Sequence, residues 1–377
     1  MKSRKTRVAY GVMGYGRGHA MRSTAILREL QQRYQVKVYA GPDAYAVMKD
    51  EFDCELIPCI HYRYGKHGRI DSLKTVRENL GSTADLLFGG AGTQQIAASW
   101  QAFRPDIVIS DSESWTHRMA RARRIPRISL DHVGVMAYCK PSFPAGDKLN
   151  GQRDRLGYLA MMGVPEFAIV SSFYPAPVRY DNVRVVGPIL RDVVKQARIR
   201  DRGHLLAYFN KGEHQFHDGL EQALRACGRP VIVYGTPREG QDGNLLFKAP
   251  SQAGFVADIA SSSAVIATAG HQLASECLWL KKPMLLLPED AVEQRLNAHM
   301  VSVMGIGEKA SLSDLTGYDI ERFLREIETY RSNIPRFRRD GGSEALTALE
   351  HAIERALDRT RTRPRPLSIR TALSSAD

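Results

Sequence analysis

The densest chemical signal lies between residues 268 and 299. Gly270 is followed by His271, Gln272, Ser275 and Glu276, and later by Glu293, Gln294, Asn297 and Ala298. At about 100° per residue the first four side chains share one side of a helix. Leu273, Ala274, Cys277 and Leu278 share the other. A polar stripe on the first turn of a helix meets free backbone N–H groups and the positive end of the helix dipole, which suits phosphate. Glu276, one turn further in, is placed to accept ribose hydroxyls. A second cluster opens the chain: Gly14-Tyr15-Gly16-Arg17-Gly18-His19. An imidazole with an ordinary pKa near ~6.5 suits proton abstraction from a hydroxyl, and Arg17 adds positive charge beside it. Asp111 and the pair Asp131-His132 each end an apolar run, so they are expected to point into the same space.

Each of these residues also has a plainer reading. His19 can be a loop or capping histidine, and Glu276 a solvated helix position. Gly14-x-Gly16-x-Gly18 approaches a dinucleotide fingerprint, but that motif wants an acid at the end of the second strand. Only Asp43 lies near there. Asp111-Ser112-Glu113 resembles an Asp-x-Asp metal motif, and we read it as lining on the first half's side of a cleft. The run 61–69, with His61, Tyr62, Arg63, Tyr64, Lys66, His67 and Arg69, alternates aromatic and basic side chains in an expected loop. That loop suits an anionic or lipid-linked acceptor or a stacked nucleic acid, and equally a solvated surface. Ile96, Trp100 and Phe103 at helical spacing are expected in the core.

These residues need elements to hold them. Residues 7–13 read as a buried strand, 20–34 as a helix with Ile26, Leu27 and Leu30 inward, and 36–40 as the next strand. That is the opening of a doubly wound sheet. Further strands are expected at 107–110, 127–130, 167–171 and 183–186, with Pro105 and Pro126 just ahead of two of them. Gly187-Pro188 interrupts the pattern. It then restarts with strands at 205–209, 231–234, 245–248, 264–267 and 284–287. Alternation of this kind argues for parallel sheets. The expected architecture is α/β: two Rossmann-like doubly wound domains facing a cleft. They span residues 1–188 and 189–357, with a basic, disordered tail at 358–377.

The chain has 377 residues, 43% hydrophobic and 25% charged, the profile of a soluble globular protein with two cores. Its formal charge of +12 favours acidic partners such as nucleotide phosphates, an anionic membrane surface or nucleic acid, the last being the weakest expectation. Five scattered cysteines show neither zinc spacing nor a C-x-x-C pair. With no apolar run of membrane-spanning length, the expected location is the cytoplasm, with peripheral attachment to the inner face of the cell membrane.

With both motifs in view the chain resembles the GT-B glycosyltransferases, in the branch of the peptidoglycan-precursor N-acetylglucosaminyltransferase and related archaeal and bacterial proteins. Gly18-His19 matches that family's first glycine loop. Gly270, Ser275, Glu276, Pro288, Gln294, Asn297 and Ala298 match its second-half pattern. The resemblance implies an inverting, metal-independent hexosyltransferase. It would move a sugar from a nucleoside-diphosphate donor, chiefly a UDP-sugar, to a hydroxyl of a lipid-linked or cell-surface precursor or a small natural product. No cofactor or metal is implied, because the nucleotide sugar is a co-substrate. His19 then activates the acceptor, with Asp131 and His132 as further acid–base candidates. Gly16, Arg17, Gly18 and Asp111 line the phosphate and acceptor side. The donor is held by Asn210, Gly270, His271, Gln272, Ser275, Glu276, Glu293 and Gln294. Where the family has two adjacent glutamines this chain has Glu293-Gln294. A non-hydrolysing nucleotide-sugar epimerase and a non-catalytic nucleic-acid-binding protein are the alternatives.

Overall fold

Valine, isoleucine and leucine runs bounded by glycine and proline become strands buried on both faces, as parallel sheets require. The computed structural model describes residues 4–63, 65, 71–249 and 251–362. Its first sheet holds β1 (Arg7–Val12), β2 (Gln35–Ala40), β3 (Cys54–Leu56), β4 (Ile107–Asp111), β5 (Arg127–Asp131), β6 (Phe167–Ser171) and β7 (Val183–Val186). The order is 3-2-1-4-5-6-7, parallel throughout. The second sheet holds β8 (Leu205–Tyr208), β9 (Val231–Tyr234), β10 (Gly240–Asp242), β11 (Leu245–Lys248), β12 (Ala264–Ala267), β13 (Met284–Leu286) and β14 (Gly307–Lys309). Its order is 10-11-9-8-12-13-14, with only β10 antiparallel to its neighbour. Both sheets reverse strand order beside their first strand, and ligands of open α/β sheets bind at such switch points, beyond the strands' carboxyl ends. The expected α/β class is therefore observed, and the short strands β3, β10 and β14 are additions to the sequence reading.

The division of the chain differs from the expected one. Helix Gly342–Thr362 belongs by contact to the first sheet. Its Ala345, Leu349, Ala352, Ile353 and Ala356 are buried with Val8, Tyr10, Ile107 and Ile128 of the first core. The chain thus crosses between halves twice, near Gly187-Pro188 and again before Gly342. At the second crossing Gly341 packs on Gly187, where an added Cβ would lie 2.0 Å from the Gly187 carbonyl oxygen. The amide of Gly341 donates to the Pro188 carbonyl at 2.7 Å. The unit expected to end at residue 357 therefore gives up its last helix to the first. The helix itself continues to Thr362, past the expected tail boundary, and residues 363–377 lie outside the described residues.

Candidate active site

The first glycine loop brings an imidazole over the end of β4. Gly14 packs so closely on Gly41 that an added Cβ would fall 2.2 Å from its backbone. Gly16 takes a positive φ of 79° and caps helix Arg17–Arg33. From that helix His19, Arg22 and Ser23, at i, i+3 and i+4, all reach the carboxylate of Asp111. His19 Nδ1 lies 2.7 Å from Oδ1. Arg22 donates through Nη2 at 2.6 Å and Nε at 3.0 Å, and Ser23 Oγ donates at 3.0 Å. Burial pushes the Asp111 carboxyl up, but Arg22 and His19 together overcome it and hold it down at about 2. A charged carboxylate on Nδ1 fixes the neutral imidazole as the Nδ1–H tautomer and leaves Nε2 as its basic atom. The imidazole keeps 18% of its surface exposed while Asp111 has none. This is an imidazole held in place by a buried carboxylate.

Opposite stands helix His271–Trp279, capped by Gly270. The backbone of Gly270 is ordinary, with φ −69°, so no conformational need explains the glycine. Among the described residues, its chain neighbours aside, an added Cβ would meet nothing within 4 Å. The space before the first turn is open, and the first N–H groups of a helix have no intrahelical acceptor. The two lobes approach closely here: a Cβ on Gly18 would lie 3.5 Å from Cβ of Gln272. His19 and the Gly270 helix start therefore face one gap.

Several expected donor contacts are already engaged. Glu276 is 2% exposed. Arg191 grips it with two bonds, Nε–H to Oε1 at 2.8 Å and Nη2–H to Oε2 at 2.6 Å. Gln272 adds a third at 3.0 Å. The ribose role expected of Glu276 requires Arg191 to let go. Gln294 is not a free sugar contact, because its Oε1 accepts the amides of Ala269 (3.1 Å) and Glu289 (3.0 Å), tying the loops after β12 and β13 together. Ser275 turns its hydroxyl back to the His271 carbonyl at 2.8 Å. Asn210 is exposed and accepts from Gln215. Glu293 does reach the gap, 23% exposed, with Asn297 donating to it. Burial, countered in part by Asn297, His19 and Arg22, pushes its carboxyl up to about 7.

The acid–base roles expected of Asp131 and His132 do not fit the geometry. Asp131 is 1% exposed. It is enclosed by the amide of Gly134 and the hydroxyls of Ser129 and Tyr158, so it has no path to an acceptor. His132 is 2% exposed, with Nδ1 at 2.8 Å from the Ser171 carbonyl and Nε2 at 3.1 Å from Asn297 Oδ1. Burial drops its pKa to about 3. It joins the lobes, stacking at 3.6 Å on His271. Among the described residues the ring nitrogens of His271 have no hydrogen-bond partner, and burial holds that imidazole neutral.

On the glycine loop, the Gly16 amide donates to Asp43 at 2.8 Å, and Lys211 of the second lobe lies 3.7 Å from the same carboxylate. The position a phosphate would take on that loop is filled by a side chain, which removes Gly16 as a phosphate contact. Arg17 is exposed at the gap's edge. Asp111 and Glu113 do not share a site, since Glu113 turns away to cap helix Ser114–Ala122 through the amides of Trp115 and Thr116. Of the aromatic–basic loop, Tyr64, Lys66, His67, Gly68 and Arg69 lie outside the described residues. His61 stacks on Tyr15 at 5.7 Å, Tyr62 is exposed, and Arg63 pairs with Glu78 at 2.6 Å. Arg22, Ser23 and Arg191 escaped the sequence reading. The i, i+3, i+4 spacing from His19 was available to find the first two. Arg191 sits in a stretch that reads as linker.

A profile of the family described as Glycosyl transferase family 1 matches residues 6–328. A protein of Methanosarcina acetivorans, described as an uncharacterized glycosyltransferase, is 26% identical over 360 residues, covering 88% of this chain and 93% of that one. Among solved structures, the glycotransferase of kitacinnamycin aligns with a TM-score of 0.65 at 20% identity, over 94% of this chain and 99% of its own. Phytolacca americana UGT2, complexed with UDP-2fluoro-glucose and pterostilbene, aligns at 0.63 and 14%, over 94% and 100%. Acinetobacter baumannii MurG aligns at 0.53 and 16%, over 95% and 100%. At these identities the structural likenesses speak to the fold, and that fold is GT-B.

Proposed function

The chain belongs to glycosyl transferase family 1, and on that premise we propose that it transfers a sugar, with inversion and without a metal, from a UDP-sugar to a hydroxyl acceptor. The observation that carries this reading is the pairing of His19 with buried Asp111 across the gap from the open helix start at Gly270. The sugar nucleotide places its diphosphate on the amides of residues 271–273, where the helix dipole favours the charge that develops on the leaving group. His19 Nε2 removes the hydroxyl proton as the acceptor oxygen attacks the anomeric carbon. The bond from that carbon to the diphosphate oxygen breaks, and the nucleoside diphosphate leaves with the electron pair. Asp111 stabilises the imidazolium so formed, as a buried carboxylate does for a catalytic histidine.

Glu276 accepts the ribose hydroxyls once Arg191 is displaced, and the freed guanidinium then lies within reach of the diphosphate. Glu293 faces the sugar. A nucleoside diphosphate as the leaving group is supported by the uridine donor in the Phytolacca americana structure and by the dTDP in that of VinC. The test is release of nucleoside diphosphate from a panel of sugar nucleotides, without and then with hydroxyl acceptors. Stimulated release with a uridine donor is expected. No release from any nucleotide sugar, together with no binding of nucleoside diphosphates, contradicts the proposal.

A further inference from the structure

Three loops leave the carboxyl ends of the adjacent strands β8, β12 and β13, beside the point where the second sheet reverses its strand order. One buried carboxylate is bonded, directly or through a single glutamine, to all three. Glu289 follows β13 and is 3% exposed. It accepts from the side-chain amides of two buried glutamines, Gln215 through Oε1 and Gln294 through Oε2. Gln294 carries the constraint to the β12 loop, because its Oε1 accepts the backbone amides of Ala269 at 3.1 Å and Glu289 at 3.0 Å. Asn297, on the same helix Val292–Val303, donates to the Ala269 carbonyl at 3.0 Å. The peptide groups before and after Ala269 are thus both clamped, and Gly270 follows at once. Gln215 carries the constraint to the β8 loop. Its Oε1 accepts the Lys211 amide at 3.0 Å, and its Nε2 also donates to Asn210 Oδ1 at 3.0 Å.

The pattern demands an acid at position 289. A carboxylate accepts on both oxygens, whereas an amide accepts at one end and donates at the other. Both glutamines spend their oxygens on backbone N–H groups and so present their NH₂ groups to Glu289. A glutamine at 289 has the same shape, but its own NH₂ would face that of Gln215 or that of Gln294. Turning Gln294 over does not help, because its NH₂ would then face the amides of Ala269 and residue 289. Buried donors set against each other are costly. The charge of Glu289 has no such use, since a negative group beside a diphosphate repels it.

We propose that Glu289 is a positioning residue for the nucleotide. Through Gln294 it fixes the turn before Gly270, and with it the direction in which the first N–H groups of that helix point. Through Gln215 it holds the Asn210–Lys211 loop beside the same strand ends. This rests on the reading of the Gly270 helix start as the diphosphate site. Charge and position predict opposite signs for Glu289→Gln. Loss of a negative charge would tighten nucleoside-diphosphate binding, and loss of the clamp weakens it. The exchanged pair Glu289→Gln/Gln294→Glu restores every bond. The new amide at 289 accepts from Gln215 and donates to the new carboxylate at 294, whose other oxygen accepts the amides of Ala269 and residue 289.

The experiment is calorimetric titration of the full chain and both variants with uridine diphosphate and with thymidine diphosphate, beside thermal unfolding of each protein. Expected is binding weakened by about tenfold or more in Glu289→Gln, with most of the loss recovered in the exchanged pair. Glu289→Gln that binds as tightly as the unaltered chain, or more tightly, overturns the proposal whatever its melting temperature, and leaves the diphosphate site standing. A loss that the exchanged pair does not recover also overturns it. Should Glu289→Gln fail to fold, the exchanged pair decides alone: it should fold and bind like the unaltered chain, and failure in either respect overturns the proposal. An unaltered chain that binds neither nucleotide contradicts the diphosphate site itself, and this inference with it.

Discussion

His19 and Asp111 divide one task. The carboxylate, with no exposed surface, is charged because Arg22 and the imidazole face it, and the imidazole is oriented because the carboxylate is charged. His19→Ala should lower turnover by about 10²–10⁴ while nucleoside-diphosphate affinity changes little; equal losses in both would mean a structural role only. Asp111 also ties folding to pH. Its ordinary value is 3.8 and its folded value about 2. A depressed acid stabilises the fold above its unfolded pKa and loses that contribution as pH falls toward the folded value. Roughly 2 kcal/mol should therefore disappear between about pH 4 and 2. Denaturant titrations across that window should show the slope, and Asp111→Asn should flatten it. Glu293 has the opposite sign. Its carboxyl is raised from 4.5 to about 7, so the fold should lose on the order of 2–3 kcal/mol as pH rises through that interval. Glu293→Gln should remove this loss.

The helix opened by Gly270 shows what sequence reveals about an element and what it leaves hidden. Its position, its polar stripe and its apolar back were legible, because period and glycine placement are local properties. The present partners of that stripe were not. Gln294 looked like a sugar contact by resemblance, yet its oxygen holds the amides of Ala269 and Glu289. Arg191 lies 85 residues from Glu276 in sequence and nothing local joins them. Gln294→Ala should therefore cost stability, about 1–3 kcal/mol for a buried amide left unpaired, and a thermal melt reads this directly. If Gln294 instead contacted the donor, turnover would fall with the melt unchanged. Gly270→Val is the complementary test. Its side chain enters open space, so the fold should persist while nucleotide binding is lost.

The whole molecule is two sheets stitched by polar ties. His132–Asn297, Lys211–Asp43 and Arg295–Asp147 all join one lobe to the other. The ribose contact proposed for Glu276 requires Arg191 to release it, a change within the second half rather than between the lobes. The two-lobed α/β plan was legible from alternating strand and helix patterns. The return of helix Gly342–Thr362 to the first lobe was not, because an amphipathic helix does not specify which of two cores it covers. Residues 1–188 expressed alone should expose the face that Leu349 and Ile353 bury and should aggregate. Leu349→Ala in the full chain should cost about 2–5 kcal/mol, measured by denaturant unfolding.

The proposed reaction needs a single gap with a leaving group on one side and a base on the other. A crystal structure of the chain with uridine diphosphate decides whether that gap exists. The diphosphate should lie on the amides of residues 271–273, the ribose on Glu276 with Arg191 displaced, and His19 Nε2 should face the space left for the sugar. A nucleotide bound elsewhere, or one that leaves the Arg191–Glu276 pair intact, would contradict it.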